Sequence, residues 1–209
     1  LDALVDRYPI LAPQKEDIRA LYELSRQSFA SGGKLLVCGN GGSAADALHI
    51  VGELMKSFTL PRPIDAEAAR LLSERFGQEG ERLAASLEGT LPAVALVENS
   101  ALSTALQNDV SGGISFAQQV YGLGRPGDVL LCISTSGNAA NAVAAAMVAH
   151  ARGMRVALLS GGTGGKLRPL CDVSVVVGVS ETFMVQELHL PVYHALCLML
   201  EYAFFPPAQ

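Results

Sequence analysis

Three groups of residues in this chain have the types and spacing to do chemistry. The first is Gly39, Asn40, Gly41, Gly42, Ser43, which follows an apolar run and leads into a helical pattern. Glycines there let the backbone approach a ligand, and a helix amino terminus offers unpaired amides and a positive dipole end. The Ser43 hydroxyl can cap that helix or touch the ligand. A tight strand-to-helix turn uses the same glycines for packing alone, and the spacing is not the GxGxxG of a dinucleotide fold. The second group, Ser134, Thr135, Ser136, Gly137, Asn138, again joins an apolar run to a helical one. Three successive hydroxyls, a glycine and a helix amino terminus make a neutral phosphate cradle, whereas a plain serine N-cap needs one hydroxyl.

The third group pairs His49 with Glu53, four residues apart on the helix after the first loop and so on one face, about one turn from that corner. Such a pair can share a metal ion or a proton path, or be an ordinary surface ion pair. Further along, Gln186, Glu187, Leu188, His189, Leu190, Pro191, Val192, Tyr193, His194 carries two more imidazoles. On a helix His189 and His194 point about 140° apart, so one site can use only one of them, and Pro191 can bend the segment. Spacing does not choose between them.

The elements that must position these groups follow from periodicity. Short apolar, β-branched runs at 34–38, 93–97, 128–133, 155–159 and 173–177 are predicted strands. Between them lie helical patterns, with Ile18, Leu21, Tyr22 and Ser25 on one face of an early helix and an alanine-rich helix over 139–151. Alternation of strand and helix predicts an α/β protein with a parallel sheet covered on both faces. Such sheets bind ligands beyond the carboxyl ends of their strands, at a topological switch point. Residues 59–92 break the alternation. They open with Pro61 and Pro63, are rich in Arg and Glu, and place Leu71, Leu72, Phe76, Leu83 and Leu87 among them. This reads as an inserted helical arm or hairpin, either a solvated excursion or a flap or subunit contact.

Bulk composition narrows the class. A chain of 209 residues suits one domain over 1–209. Half the residues are hydrophobic and 17% charged, which leaves apolar surface for a partner copy and predicts a homo-oligomer. A net charge of −5 with no basic stripe argues against nucleic acid as a partner. Cys38, Cys132, Cys171 and Cys197 form no CxxC pair and read as buried free thiols of a reducing cytosol. No apolar run approaches the roughly 18 residues of a membrane span, and no leader pattern opens the chain, so no membrane and a cytoplasmic location are expected.

Residues 38–46 (CGNGGSAAD), 133–138 (ISTSGN) and 186–189 (QELH) resemble, in order, the signature segments of the sugar-phosphate isomerase (SIS) family in its phosphoheptose isomerase branch. The resemblance implies a tetramer of flavodoxin-like, three-layer αβα sandwiches with a five-stranded sheet. It implies isomerisation of sedoheptulose 7-phosphate to D-glycero-D-manno-heptose 7-phosphate, with zinc at the site. It places His49, Glu53, Gln186 and His194 in a metal-ligand set, choosing His194 over His189, and makes Glu53 the base and His194 the acid of an enediol mechanism. With the two loops, the substrate-binding set is Asn40, Gly41, Gly42, Ser43, Asn108, Asp109, Ser134, Thr135, Ser136, Asn138 and Gln186. The chain departs from the family pattern at Ala139, where a serine is usual, at Ser57, where a basic residue is usual and Lys56 is adjacent, and in its longer 59–92 arm. The rival class is a non-catalytic SIS protein that senses a phosphosugar or docks a replication initiator. Such a protein has no chemical reason to keep the His49, Glu53, Gln186, His194 set together.

Overall fold

A computed structural model describes residues 1–110 and 112–207. The five apolar runs form β1 (Leu35–Gly39), β2 (Ala93–Ala95), β3 (Val129–Ser134), β4 (Arg155–Gly161) and β5 (Val173–Val177). All pair in parallel in the order β2-β1-β3-β4-β5. The helices are α1 (Asp2–Arg7), α2 (Lys15–Ala30), α3 (Gly42–Met55), α4 (Ala66–Ser86), α5 (Ser100–Asp109), α6 (Ser115–Leu123), α7 (Ala140–Ala151) and α8 (Thr182–Phe204).

The strands are uniformly apolar because both faces are covered. Side chains alternate across the sheet with period two. Leu35, Val37, Leu131 and Ile133 point into a core shared with α2, α3 and α8, through Ile18, Leu21, Ile50, Leu54, Val192 and Leu196. Leu36, Cys38, Leu130 and Cys132 point to the other side, where Val120 of α6 and Ala142, Ala145 and Ala149 of α7 pack. The small alanines let α7 lie close to the sheet. Truncating a fully buried residue such as Leu131 to Ala costs about 2 to 5 kcal/mol in such a setting. Ile18, Leu21 and Ser25 of α2 are buried as their spacing predicts, with Tyr22 partly so.

Two features of the sheet decide where the site lies. Chain order reverses between β1 and β3, which is the switch point, and the register Gly39↔Ile133 ends the two strands side by side. The loops after β1 and β3 therefore emerge next to each other.

The inserted arm is a helical hairpin. Helical geometry in α4 breaks at Gly77 (φ 55°, ψ −135°), and Gly80 then sits so close to the Leu72 carbonyl that a side chain there would collide with it. Its base is tied down by a bridge between Pro63 and Glu88 and by Gly89 N–H donating to the Arg62 carbonyl at 2.6 Å. Leu71, Phe76, Leu83 and Leu87 remain exposed.

α8 corrects one expectation. It has 23 residues, and an 18-residue window within it has a mean hydropathy of 1.2, long and apolar enough to cross a membrane by length and composition alone. Its Val185, Val192, Leu196 and Leu200 are instead buried in the core with α2 and α3, and the helix runs through Pro191 without interruption.

Candidate active site

The loops after β1 and β3 border a cavity of about 470 Å³. Asn40, Gly41, Gly42, Ser43, Ser134, Thr135, Ser136, Asn138 and Gln186 all line it, joined by Ala139 and Thr182. α3 begins at Gly42 behind Gly41, and α7 begins at Ala140 behind Ala139, neither with a side-chain cap. Ser43 thus lies inside the first turn of α3 rather than capping it, and the hydroxyls of the second loop are not consumed by α7. Two helix amino termini face one cavity with no basic side chain in its lining, an arrangement suited to an anion held by dipoles, amides and hydroxyls.

The loops are braced from behind. Asn40 and Asn141 exchange two amide hydrogen bonds, at 3.0 and 2.9 Å, which lock the first loop to α7. Ser160 Oγ donates to the Ser134 carbonyl at 2.7 Å, and Gly161 N–H to the Thr135 carbonyl at 3.0 Å. A side chain at Gly42 would meet the amide end of Gln186 of α8, which would have to move aside.

A second cluster lies farther along α3 and α8. His49 Nε2 stands 3.2 Å from Glu53 Oε1, and the rings of His49 and His194 meet edge to face with centroids 5.0 Å apart. Tyr193 joins them. Its hydroxyl is 3.1 Å from His49 Nδ1 and donates to Asp46 Oδ1 at 3.3 Å. Phe58 packs against His194 with ring centroids 5.5 Å apart. Among the described residues, the buried atoms Glu53 Oε2, His194 Nε2 and Asp46 Oδ2 have no hydrogen-bond partner. Lys56 Nζ approaches Glu53 Oε2 to 3.7 Å, too far for a hydrogen bond. Burial, reinforced by the neighbouring His49 and opposed by Glu53, lowers the pKa of His194 and favours its neutral form. Burial also raises that of Asp46, against the Tyr193 hydrogen bond and His49.

Not every expected residue joins these two groups. His189 faces the core near Ser160, fully buried and remote in direction from His49; burial pushes its pKa down to about 4, against a weaker upward pull from the Ser160 backbone. Geometry therefore brings His194, not His189, to His49. Asn108 and Asp109 sit at the exposed end of α5, hydrogen-bonded to each other at 2.7 Å and outside the cavity lining. Gln186 lines the cavity two helical turns before His194 on α8. Among the described residues, no three His, Cys, Asp or Glu side chains form a ready metal cage. Ser57 does not take the place of a cavity cation either: its N–H and Oγ both donate to Glu88, at 2.7 Å.

Several residues escaped the reading from sequence. Asp46 and Tyr193 flank the histidines, three residues before His49 and one before His194, and helical spacing could have flagged Asp46. Arg62 and Glu201 form a fully buried ion pair at 2.8 Å. Arg62, between two prolines in an irregular segment, carries no local signal at all.

Comparisons with known proteins agree with this geometry. The SIS domain family model matches residues 8–89 and 69–161. The chain is 39% identical over 196 residues to the phosphoheptose isomerase of Thiobacillus denitrificans, covering 92% of this chain and 85% of that protein. In structure it is similar to the phosphoheptose isomerase GmhA from Neisseria gonorrhoeae, with a TM-score of 0.75 at 34% identity, covering 93% of this chain and 90% of the other. A phosphoheptose isomerase from Francisella tularensis gives a TM-score of 0.76 at 30% identity over the same shares.

Proposed function

This chain belongs to the SIS domain family, and from that membership we propose that it is a phosphoheptose isomerase, interconverting sedoheptulose 7-phosphate and D-glycero-D-manno-heptose 7-phosphate. The observation that carries the reading is that His49, Glu53 and His194 meet two helical turns along α3 from an anion cradle. Side chains on α3 lean toward its amino terminus, the direction of the cradle, while His194 itself lines a second cavity of about 520 Å³. An extended sugar phosphate can place its ester at one end and its carbonyl at the other.

In this reading Ser43, Ser134, Thr135 and Ser136 hold the phosphate, with Asn40, Asn138 and Gln186 on the sugar. Glu53 takes the proton from the carbon beside the carbonyl and returns it to the neighbouring carbon, a role its Oε2 fills only while that oxygen is not ligating a metal. His194, held neutral, gives a ring N–H proton to the carbonyl oxygen as the enediol forms and recovers one from the adjacent hydroxyl as that oxygen becomes the new carbonyl. Phe58 and Tyr193 pack against His194 and limit water there, while His49 stays exposed.

The donor types, two imidazoles and a carboxylate, suit a zinc ion, and Glu53 Oε2 and His194 Nε2 are buried without a hydrogen-bond partner, although these side chains do not stand as a formed cage. His49, Glu53 and His194 would hold it, with Gln186 as the fourth donor implied by family resemblance. Bound zinc would supply polarisation of the substrate carbonyl and its adjacent hydroxyl. We further read the protein as a cytoplasmic homotetramer, because Phe76, Leu83, Phe183 and Tyr202 leave apolar surface to cover. Light scattering should give four times the 21.9 kDa chain mass, and a stable monomer would reject the assembly.

The test of function is conversion of sedoheptulose 7-phosphate by the purified chain, with and without zinc, followed by product identification. Turnover to the heptose phosphate is expected. Tight binding of the phosphosugar without turnover under either condition would favour the sensor reading, which the imidazole and carboxylate cluster otherwise disfavours.

A further inference from the structure

Tyr193 occupies an unusual position for a core tyrosine. It is buried, yet its hydroxyl sits between two groups that both seek its one hydrogen: Asp46 Oδ1 at 3.3 Å and His49 Nδ1 at 3.1 Å. Its ring meets both imidazoles edge to face, at 5.4 Å from His49 and 5.1 Å from His194. A carboxylate can only accept, so the phenol hydrogen goes to Asp46 and the phenol oxygen is left to accept from His49.

That direction has a consequence at the far side of the ring. In the neutral imidazole that metal ligation requires, an Nδ1–H donated to Tyr193 leaves the lone pair on Nε2. Nε2 is the atom 3.2 Å from Glu53 Oε1. Either a proton or a cation on Nε2 can then join it to Glu53 Oε1, so the ring position open to a metal is the one that faces the carboxylate. The opposite direction, with Tyr193 donating to His49, would leave Asp46 Oδ1 facing a phenol oxygen without a hydrogen, beside an Oδ2 that already has no partner.

We propose that Tyr193, anchored on Asp46, is a positioning residue that fixes the His49 tautomer and orientation, so that Nε2 is presented together with Glu53 to a divalent cation. The inference rests on the reading of His49 and Glu53 as metal ligands, and goes beyond it by assigning the group that prepares them. Partners of this kind orient a metal-binding histidine and raise its basicity, and their loss typically weakens metal binding by about 10- to 100-fold.

Zinc affinity of the metal-free protein, measured by competition with a chromophoric chelator, tests this without reference to turnover. Tyr193→Phe keeps the ring packing and removes the hydroxyl; zinc affinity is expected to fall by about 10- to 100-fold. Asp46→Asn, on a partly exposed helix face, retains an acceptor without the charge and should give a smaller loss in the same direction. Nitrogen-15 NMR of the ring should show His49 as the Nδ1–H tautomer in the parent and a shifted mixture in Tyr193→Phe. His49→Gln separates the two levels of the argument. If His49→Gln abolishes zinc binding while Tyr193→Phe and Asp46→Asn bind as the parent does with an unchanged tautomer, the positioning role is overturned and the ligand reading stands. If the parent binds no zinc, or His49→Gln leaves affinity unchanged, both fall.

Discussion

Glu53 and Glu201 are both carboxylates on core helices, joined in space through Arg62, yet their surroundings are opposite. Glu201 is fully buried and accepts from Phe58 N–H at 2.7 Å, Thr59 N–H at 2.9 Å, Thr59 Oγ1 at 2.7 Å and Arg62 Nε at 2.8 Å. Burial alone would raise its pKa, but the bonds from Thr59, Phe58 and Arg62 outweigh it and hold the carboxyl at about 2. Glu53 has His49 on one oxygen and no hydrogen bond on the other. A carboxylate saturated with donors fastens structure; one left short of donors can take a proton or a cation.

The two are mechanically linked. Arg62 also donates to the Leu54 carbonyl at 2.9 Å and the Glu53 carbonyl at 3.0 Å, satisfying the last turn of α3, the helix end that carries Glu53. Glu201 in turn holds the loop from which Phe58 reaches His194. The fastener therefore sets the spacing of the reactive cluster.

The largest expected effect separates the two carboxylates by function. Glu53→Gln keeps size and polarity but removes the base, so turnover should fall by about two to four orders of magnitude while phosphosugar affinity largely survives. A parental rate in steady-state assays would erase the distinction. On the other side, Arg62→Met removes the counter-ion of buried Glu201 and leaves it only the Phe58 and Thr59 donors. Unfolding in urea should show about 3 to 5 kcal/mol of lost stability, with much of it recovered when Glu201→Leu is added. If the single variant is as stable as the parent, Glu201 is not the fastener described.

The contrast extends to the imidazoles, because His189 is buried without a role in the cluster. Its pKa is depressed from 6.5 to about 4, so the folded state resists a proton that the unfolded chain accepts. Stability attributable to His189 is intact above pH 6.5 and declines by about 3 kcal/mol as pH falls from there toward 4. Glu201 adds its own loss at lower pH, from its ordinary 4.5 toward about 2, since a depressed carboxyl stabilises only while ionised. Denaturation curves of His189→Leu should be flat across the upper window and unchanged in the lower one. The smallest effect concerns the cradle. Ser136→Ala should weaken phosphosugar binding by about 1 to 2 kcal/mol in titration calorimetry, with unfolding unaffected. Unchanged affinity would move the phosphate elsewhere.

Much of this protein is written in short windows of sequence. Five apolar runs of strand length, glycine and serine at the strand-to-helix turns, and the helical spacing of Ile18, Leu21 and Ser25 each depend on residues a few positions apart, so strands, loops and the cradle were legible directly. Motif order alone also pointed to the family. What periodicity could not supply are pairings between distant segments. The choice of His194 over His189 depends on how α8 is rotated against the sheet, which turns one ring toward Ser160 and the other toward His49. Asn108 and Asp109 lie outside the cavity lining because of where α5 ends. Tyr193 meets Asp46 across 147 residues and Arg62 meets Glu201 across 139. Such contacts form only once α3 and α8 are packed side by side, because no local preference of either helix encodes the partner it will face.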